Sequence, residues 1–170
     1  MDFDTFSTDR RRILDLRGRG FPDVPVVGHY RYTSSMPPLA PQSNDRFLEV
    51  CLMVKGEQRY QLGREGVMLR GKHVLLIPPG ETFSTGGEPE TNGELYWFFF
   101  RLSGDPDDAA PEPSFLGFSP GETRRIREIV DSVGSRIHPA SDRLVALAER
   151  PFAAAGIVEA DLGSAALRVA

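Results

Sequence analysis

From Val26 onward the apolar residues come in short bursts, and each burst ends at a glycine or a proline. Residues 26–32, 47–54, 58–62, 67–69, 74–77 and 95–102 are rich in β-branched, aromatic and aliphatic side chains, which is the composition of strands. Lys55-Gly56 closes the second burst. Gly63-Arg64-Glu65-Gly66 separates the third from the fourth and reads as a hairpin turn. Gly71 marks the next turn, and Pro78-Pro79-Gly80 ends the wholly apolar run 74–77. Met36-Pro37-Pro38-Leu39-Ala40-Pro41 lacks the amide donors a ladder needs and predicts an extended loop. Many short strands at close spacing predict a mainly β sandwich or barrel. In the last strand, alternation puts Leu95, Trp97, Phe99 and Arg101 on one face and Tyr96, Phe98 and Phe100 on the other.

Beyond Leu102 the period changes. Residues 103–118 form a linker with Gly104, Pro106, Pro111 and Pro113 among acids and alanines. Ser119-Pro120-Gly121-Glu122 is a helix start, with Ser as cap, Pro in the first turn and Glu at the capping-box position. Ile126, Ile129, Val130, Val133 and Ile137 continue as one apolar stripe, ended by His138-Pro139. A second, shorter helix at 141–149 places Leu144, Leu147 and Ala148 on one face, and Pro151 interrupts it. Residues 153–170 are Ala- and Gly-rich and weakly patterned. Ahead of the strands, residues 1–25 carry Gly18, Gly20, Pro22 and Pro25 and read as an arm with one short helical stretch. The chain thus divides into an arm (1–25), a β unit (26–102), a linker (103–118) and a helical segment (119–170), with Phe98 and Phe100 packing under the helix that carries Ile126 and Ile129.

Composition narrows the class. A chain of 170 residues makes one domain, or one domain with an appendage, and buries roughly 70% of its unfolded surface without staples. Cys51 is the single cysteine, so there is no disulfide framework, and an intracellular, cytoplasmic setting follows. It reads as a small buried hydrophobe, not a reactive thiol. The start of the chain is polar and lacks a signal-peptide core, and no apolar run is long enough for a membrane span. A net charge of −4 argues against nucleic-acid binding by bulk field. Arg10, Arg11, Arg12, Arg17 and Arg19 are a local exception, read either as a solvated arm or as a site for an acidic or phosphate partner.

The segment from Glu49 to Phe83 carries the chemistry. Glu49 stands before Gly56 with six residues between, then come Gly71 and Pro78-Pro79-Gly80-Glu81-Thr82-Phe83. This run resembles the cupin superfamily. More closely, Val54-Lys55-Gly56, then Gly71-Lys72-His73-Val74-Leu75-Leu76-Ile77-Pro78-Pro79-Gly80, then the aromatic strand 95–102, resemble the N-terminal sensor domains of AraC-family transcription regulators. The resemblance covers about 26–137. It implies a cupin-type double-stranded β-helix (jelly-roll) barrel followed by one or two C-terminal α-helices. It also implies a small effector in the barrel, sugar-like or a small acid, a homodimer built through the helices, and DNA binding by a separate C-terminal domain with two helix-turn-helix units. Residues 141–170 carry no such pattern, so the chain reads as a fragment of a longer regulator.

Metal-binding cupins place histidines where this chain has Ser43, Asp45 and Phe83, leaving Glu49 alone of the four ligands. His29, His73 and His138 fall elsewhere. The expectation is therefore no metal, no cofactor and no enzyme; nor is a nucleophile–base pair readable. The candidate ligand-binding residues are Arg31, Glu49, Phe83, Thr85 and Trp97. Trp97 stacks on the effector or belongs to the core. Glu49 accepts hydroxyl hydrogen bonds or pairs with Arg31 or Arg46. Arg31 contacts a carboxylate or hydroxyl, or is a solvated surface residue. Phe83 and Thr85 follow the Pro-Gly turn and line the barrel mouth. A ligand-free dimerisation barrel and a stand-alone cupin enzyme are the rival readings.

Overall fold

A computed structural model gives the fold and describes residues 8, 10–21, 23–102 and 118–167, with side chains in the last helix described as far as Ala155. The linker expected at 103–118 lies, but for its last residue, outside the described residues. The elements are β1 (Arg11–Asp15), β2 (Val26–Tyr32), β3 (Phe47–Leu62), β4 (Glu65–Arg70), β5 (His73–Ile77), β6 (Phe83–Ser84), β7 (Gly93–Arg101), α1 (Pro120–Ser132), β8 (Ile137–Pro139) and α2 (Asp142–Leu167). All the strand pairs are antiparallel. The sheet runs β1-β2-β7-β3-β5-β8, while β4 and β6 pair with the far half of β3. The expected mainly β barrel with two helices behind it is the fold observed.

β3 is the spine of the barrel. The sequence predicts a break at Lys55-Gly56; the chain bends there instead. A bulge shifts the β3–β7 register between Met53 and Lys55. Gly56 takes a left-handed φ of 84°, and a Cβ on it would come 2.3 Å from the Asn92 carbonyl oxygen. Bursts 47–54 and 58–62 are thus one strand serving two sheets. The hairpin beyond is tighter than the four-residue signal suggests: Leu62 pairs with Glu65, leaving Gly63-Arg64 as the turn.

Residues 11–15 of the expected arm form β1 on the edge of the sheet. Ile13 packs on the inner core, and Leu14 and Leu16 pack on the outer one. The run of arginines hides this two-sided apolar pattern. The short helical stretch is a 3-10 turn at Arg17–Arg19.

Alternation sorts the side chains as expected. Leu95, Trp97 and Phe99 join Phe47, Cys51 and Met53 in the barrel interior. Tyr96 and Phe98 face outward with Val27, Leu52 and Val74, against Ala148 and Phe152 of α2. Phe100 sits with Leu48, Leu102, Ile126 and Val130 under α1. Phe98 therefore lies under the second helix, not the first.

α1 begins with the expected capping box: the Ser119 hydroxyl accepts from the Glu122 amide, and the Glu122 carboxylate accepts from the Ser119 amide. It ends at Ser132, earlier than the apolar stripe. Ile137 and His138 instead pair with β5 as β8, since Ile137 finds inner core there. Ile129 is 52% exposed, and Leu144 and Leu147 are exposed too. α2 continues through Pro151. Ala148 before the proline and Phe152 after it are both buried on the sheet, so tertiary packing holds the two halves in line despite the missing amide. No helix among the described residues is long and apolar enough to cross a membrane.

Candidate ligand-binding cavity

The barrel interior is not filled. It encloses a cavity of about 770 Å³, within the span of small-molecule sites, roughly 300–1,000 Å³. Four strands and a loop supply most of its lining. The inward positions of β2 supply Tyr30 and Tyr32, and those of β3 supply Glu49, Cys51 and Tyr60. β7 contributes Leu95, Trp97 and Phe99, and β6 adds Phe83. The proline-rich loop around Met36 to Gln42 covers the remaining side. Bridges from Met36 to Glu90 and from Gln42 to Phe83 anchor that loop.

Glu49 is the anomaly in this wall. It is 5% exposed. Its Oε1 accepts a long bond from the Cys51 thiol, 3.6 Å from Sγ, and its buried Oε2 has no partner. Neither Arg31 nor Arg46 pairs with it, so the expected ion pair is not formed. Burial pushes its pKa up to about 8, and the Cys51 contact offsets this only in part. At neutral pH Glu49 is mostly a carboxylic acid facing an aromatic cavity. Burial also raises the Cys51 thiol well above its ordinary value, next to Glu49, so it stays an unreactive thiol. The neighbouring carboxyl, Glu90, is raised by burial and accepts from the Tyr32 hydroxyl.

Trp97 is a core residue whose ring is also part of the cavity wall. Its ring stacks on Tyr30 with centroids 4.5 Å apart, and it lies over Gly28, where a Cβ would come 1.9 Å from the indole. Only glycine lets the indole lie flat on β2. Phe83 is buried in the wall.

Thr85 does not line the cavity. It is fully buried, accepts from the Leu39 amide at 2.8 Å and donates to the Glu88 carbonyl at 3.2 Å. It fastens the proline-rich loop from behind. Arg31 borders the mouth, but its guanidinium turns to the outer face and binds Glu94 at 3.2 Å, with 64% of the side chain exposed. His29 holds the same carboxylate at 3.0 Å and stacks on Tyr96.

The sequence reading missed Tyr30, Tyr32, Tyr60 and Glu90. Parity would have found the first two: Arg31 was singled out, yet its neighbours on either side are the inward residues. The donor set does not suit a transition metal. No histidine lines the cavity, Glu49 is its one unpartnered donor, and no three His, Cys, Asp or Glu converge among the described residues.

A barrel-like sheet holding an aromatic cavity with a buried carboxyl has the form of a small-molecule-binding domain. The AraC-like ligand-binding domain family matches residues 31–159, and this chain belongs to that family. No curated protein matches the chain. Solved structures with related outlines include a predicted oxalate decarboxylase from Thermotoga maritima, 12% identical over 54% of this chain and 80% of that one, with a TM-score of 0.45. A cupin protein from Bacteroides fragilis is 12% identical over 65% and 96%, with a TM-score of 0.43. KdgF from Halomonas sp. is 17% identical over 54% and 77%, with a TM-score of 0.40. At such identities these likenesses assign no activity to this chain.

Proposed function

We propose that this domain is the sensor of a transcription regulator: its cavity binds a small organic effector, and occupancy biases the arrangement of β1 and the helices. The observation that carries the reading is the aromatic cavity with an unpartnered, buried Glu49 Oε2. A barrel kept only as scaffold or dimer platform gains nothing from a buried, half-satisfied carboxyl, which costs about 1–3 kcal/mol.

β1 offers a route outward. Arg11 bonds the Tyr30 hydroxyl on the cavity side, and the next residue, Arg12, donates to the Phe152 carbonyl of α2 at 3.2 Å. An effector that moves Tyr30 therefore acts on α2 through two adjacent residues. It changes the arrangement only if it prefers one of two, by linkage. DNA contact belongs to a different domain, the helices mediate a homodimer, and the domain works without catalysis in the cytoplasm. Phe83 and Trp97 serve the effector directly with Glu49, Arg31 serves at the mouth, and Thr85 serves by holding the loop.

Thermal unfolding with sugars, sugar acids, aromatic acids and amines tests this. A true effector raises Tm by roughly 5–10 °C at a hundredfold excess over Kd and changes Trp97 fluorescence. If no compound binds and solution structure shows the interior closed by side chains, the sensing reading is wrong.

A further inference from the structure

The charges that face the cavity narrow the effector, given the sensing reading above. Among the described residues the inner wall offers two carboxyls, Glu49 and Glu90, and no lysine or histidine. Its arginines sit at the rim and are engaged or solvated. Arg31 binds Glu94 on the outer face, Arg11 bonds the Tyr30 hydroxyl and stacks over its ring, and Arg10 is exposed. None reaches Glu49 Oε2, which stays buried and unpartnered.

The walls of the cavity that Glu49 shares are largely aromatic: Tyr30, Tyr32, Tyr60, Phe83, Trp97 and Phe99. Ring faces attract cations most strongly when water is excluded, and a buried carboxylate needs a cation to be ionised at low cost. Aromatic faces and an unpaired acid favour the same ligand charge. A neutral polyol would leave the ring faces unused for charge, and an anion would meet Glu49 and Glu90 without a counter-ion.

We propose that the effector is a small organic amine, with its ammonium group at Glu49 and an apolar or aromatic body along the Trp97 and Phe83 walls. This moves the effector class away from the sugars and small acids that the family resemblance implies. The bound amine completes the ion pair that the free protein lacks. Glu49 must give up its proton to form it, because burial holds the free acid protonated up to about pH 8. The titratable groups facing it are Cys51 and Tyr60 on β3, Tyr32 on β2, and Glu90 ahead of β7, all raised by burial and none a cation at neutral pH.

Three probes alike but for their terminal group test the proposal: tyramine, its alcohol analogue tyrosol, and 4-hydroxyphenylacetate. Calorimetry on the chain at pH 7 reads affinity, and repetition in buffers of different ionisation enthalpy reads proton release. The expected result is tyramine binding at least about tenfold tighter than tyrosol, with the carboxylate weakest. Proton release should accompany tyramine alone. Affinity for tyramine should rise from pH 6 to pH 8, and Glu49→Gln should abolish both the preference and the proton release while leaving the fold intact by circular dichroism. Equal binding of tyrosol, or tighter binding of the carboxylate, overturns the amine assignment but leaves the sensing reading standing. Binding of none of the three overturns the amine assignment as well, and the wider compound panel then decides the sensing reading separately.

Discussion

Two buried carboxylates on neighbouring strands meet opposite fates. Glu94, on the outer face of β7, is 9% exposed and holds both His29 and Arg31. Burial alone would raise its pKa, yet the hydrogen bonds from His29 and Arg31 and the charge of Arg31 bring it below the ordinary value. Glu49, on the inner face of β3, is 5% exposed and has a single thiol contact. The outer face solves its polar burial within the chain, as structural groups do. The inner face leaves its polar burial open, which is what a binding site does before its ligand arrives. The same strands supply both faces, so the difference lies in the partners, not in the fold.

Breaking the inner wall should have the largest effect. Gly28→Val drives a side chain into the Trp97 indole from a backbone that cannot retreat, since β2 is paired on both sides. A loss of about 3 kcal/mol or more is expected in urea unfolding, with a red-shifted Trp97 emission, while the outer cluster keeps its composition.

Exchanging the two acids sharpens the contrast. Glu94→Leu leaves His29 without its partner in a nearly buried site and should cost about 2 kcal/mol. Glu49→Leu removes an unsatisfied group and should be neutral or stabilising at pH 7. The pH profiles should run in opposite directions. Folded Glu49 keeps its proton to about pH 8, against an ordinary value of 4.5 once unfolded. The native state therefore binds the extra proton between those values, and this group's contribution falls as pH rises through that window. Folded Glu94 lies below its ordinary value, so its contribution is present above that value and fades as pH falls through the folded one. Denaturation midpoints from about pH 2.5 to 8.5 check this: wild type minus Glu49→Gln should decline as pH rises from 4.5 to 8, and wild type minus Glu94→Gln should decline as pH falls below 4.5.

A smaller effect is expected at the loop. Thr85→Val strands the Leu39 amide and the Glu88 carbonyl, costs about 1–2 kcal/mol, and should speed hydrogen exchange at Leu39 more than at any amide of β3. Uniform acceleration across the barrel would instead make Thr85 a general core residue.

Much of this contrast was legible in the sequence, and the remainder hid for identifiable reasons. β2 has the bounds its composition predicts, and the alternation of β7 sorts Trp97 inward and Tyr96 outward as expected, because period-two burial leaves a plain trace. β1 was hidden because arginines on an edge strand resemble a solvated arm. β3 was split because Gly56 serves equally as a stop or as a bend, and only the pairing with β7 decides. α2 was cut at Pro151 because local propensity says nothing of Phe152 docking on the sheet. At the site, Glu49 and Trp97 stand out within apolar strands, and Phe83 stands out because it follows the Pro78-Pro79-Gly80 turn. Tyr30 and Tyr32 flank Arg31 and point inward, while the Arg31 guanidinium binds Glu94 on the outer face; a resemblance that marks one strand position does not show which neighbour faces the cavity. Thr85 was placed in the mouth because a sequence cannot tell a side chain that lines a cavity from one that ties down its wall.

The claim that Glu49 waits unpaired on the inner face can be measured without knowing the effector. Carbon-13 NMR titration of the glutamate side-chain carboxyls, with Glu49 assigned through Glu49→Gln, reads its protonation in the free protein. A midpoint near 8 is expected, against the lowered one expected of Glu94, which has partners. A midpoint in the ordinary carboxylate range, near 4.5, would show that Glu49 already has a partner or solvent, and would contradict the claim.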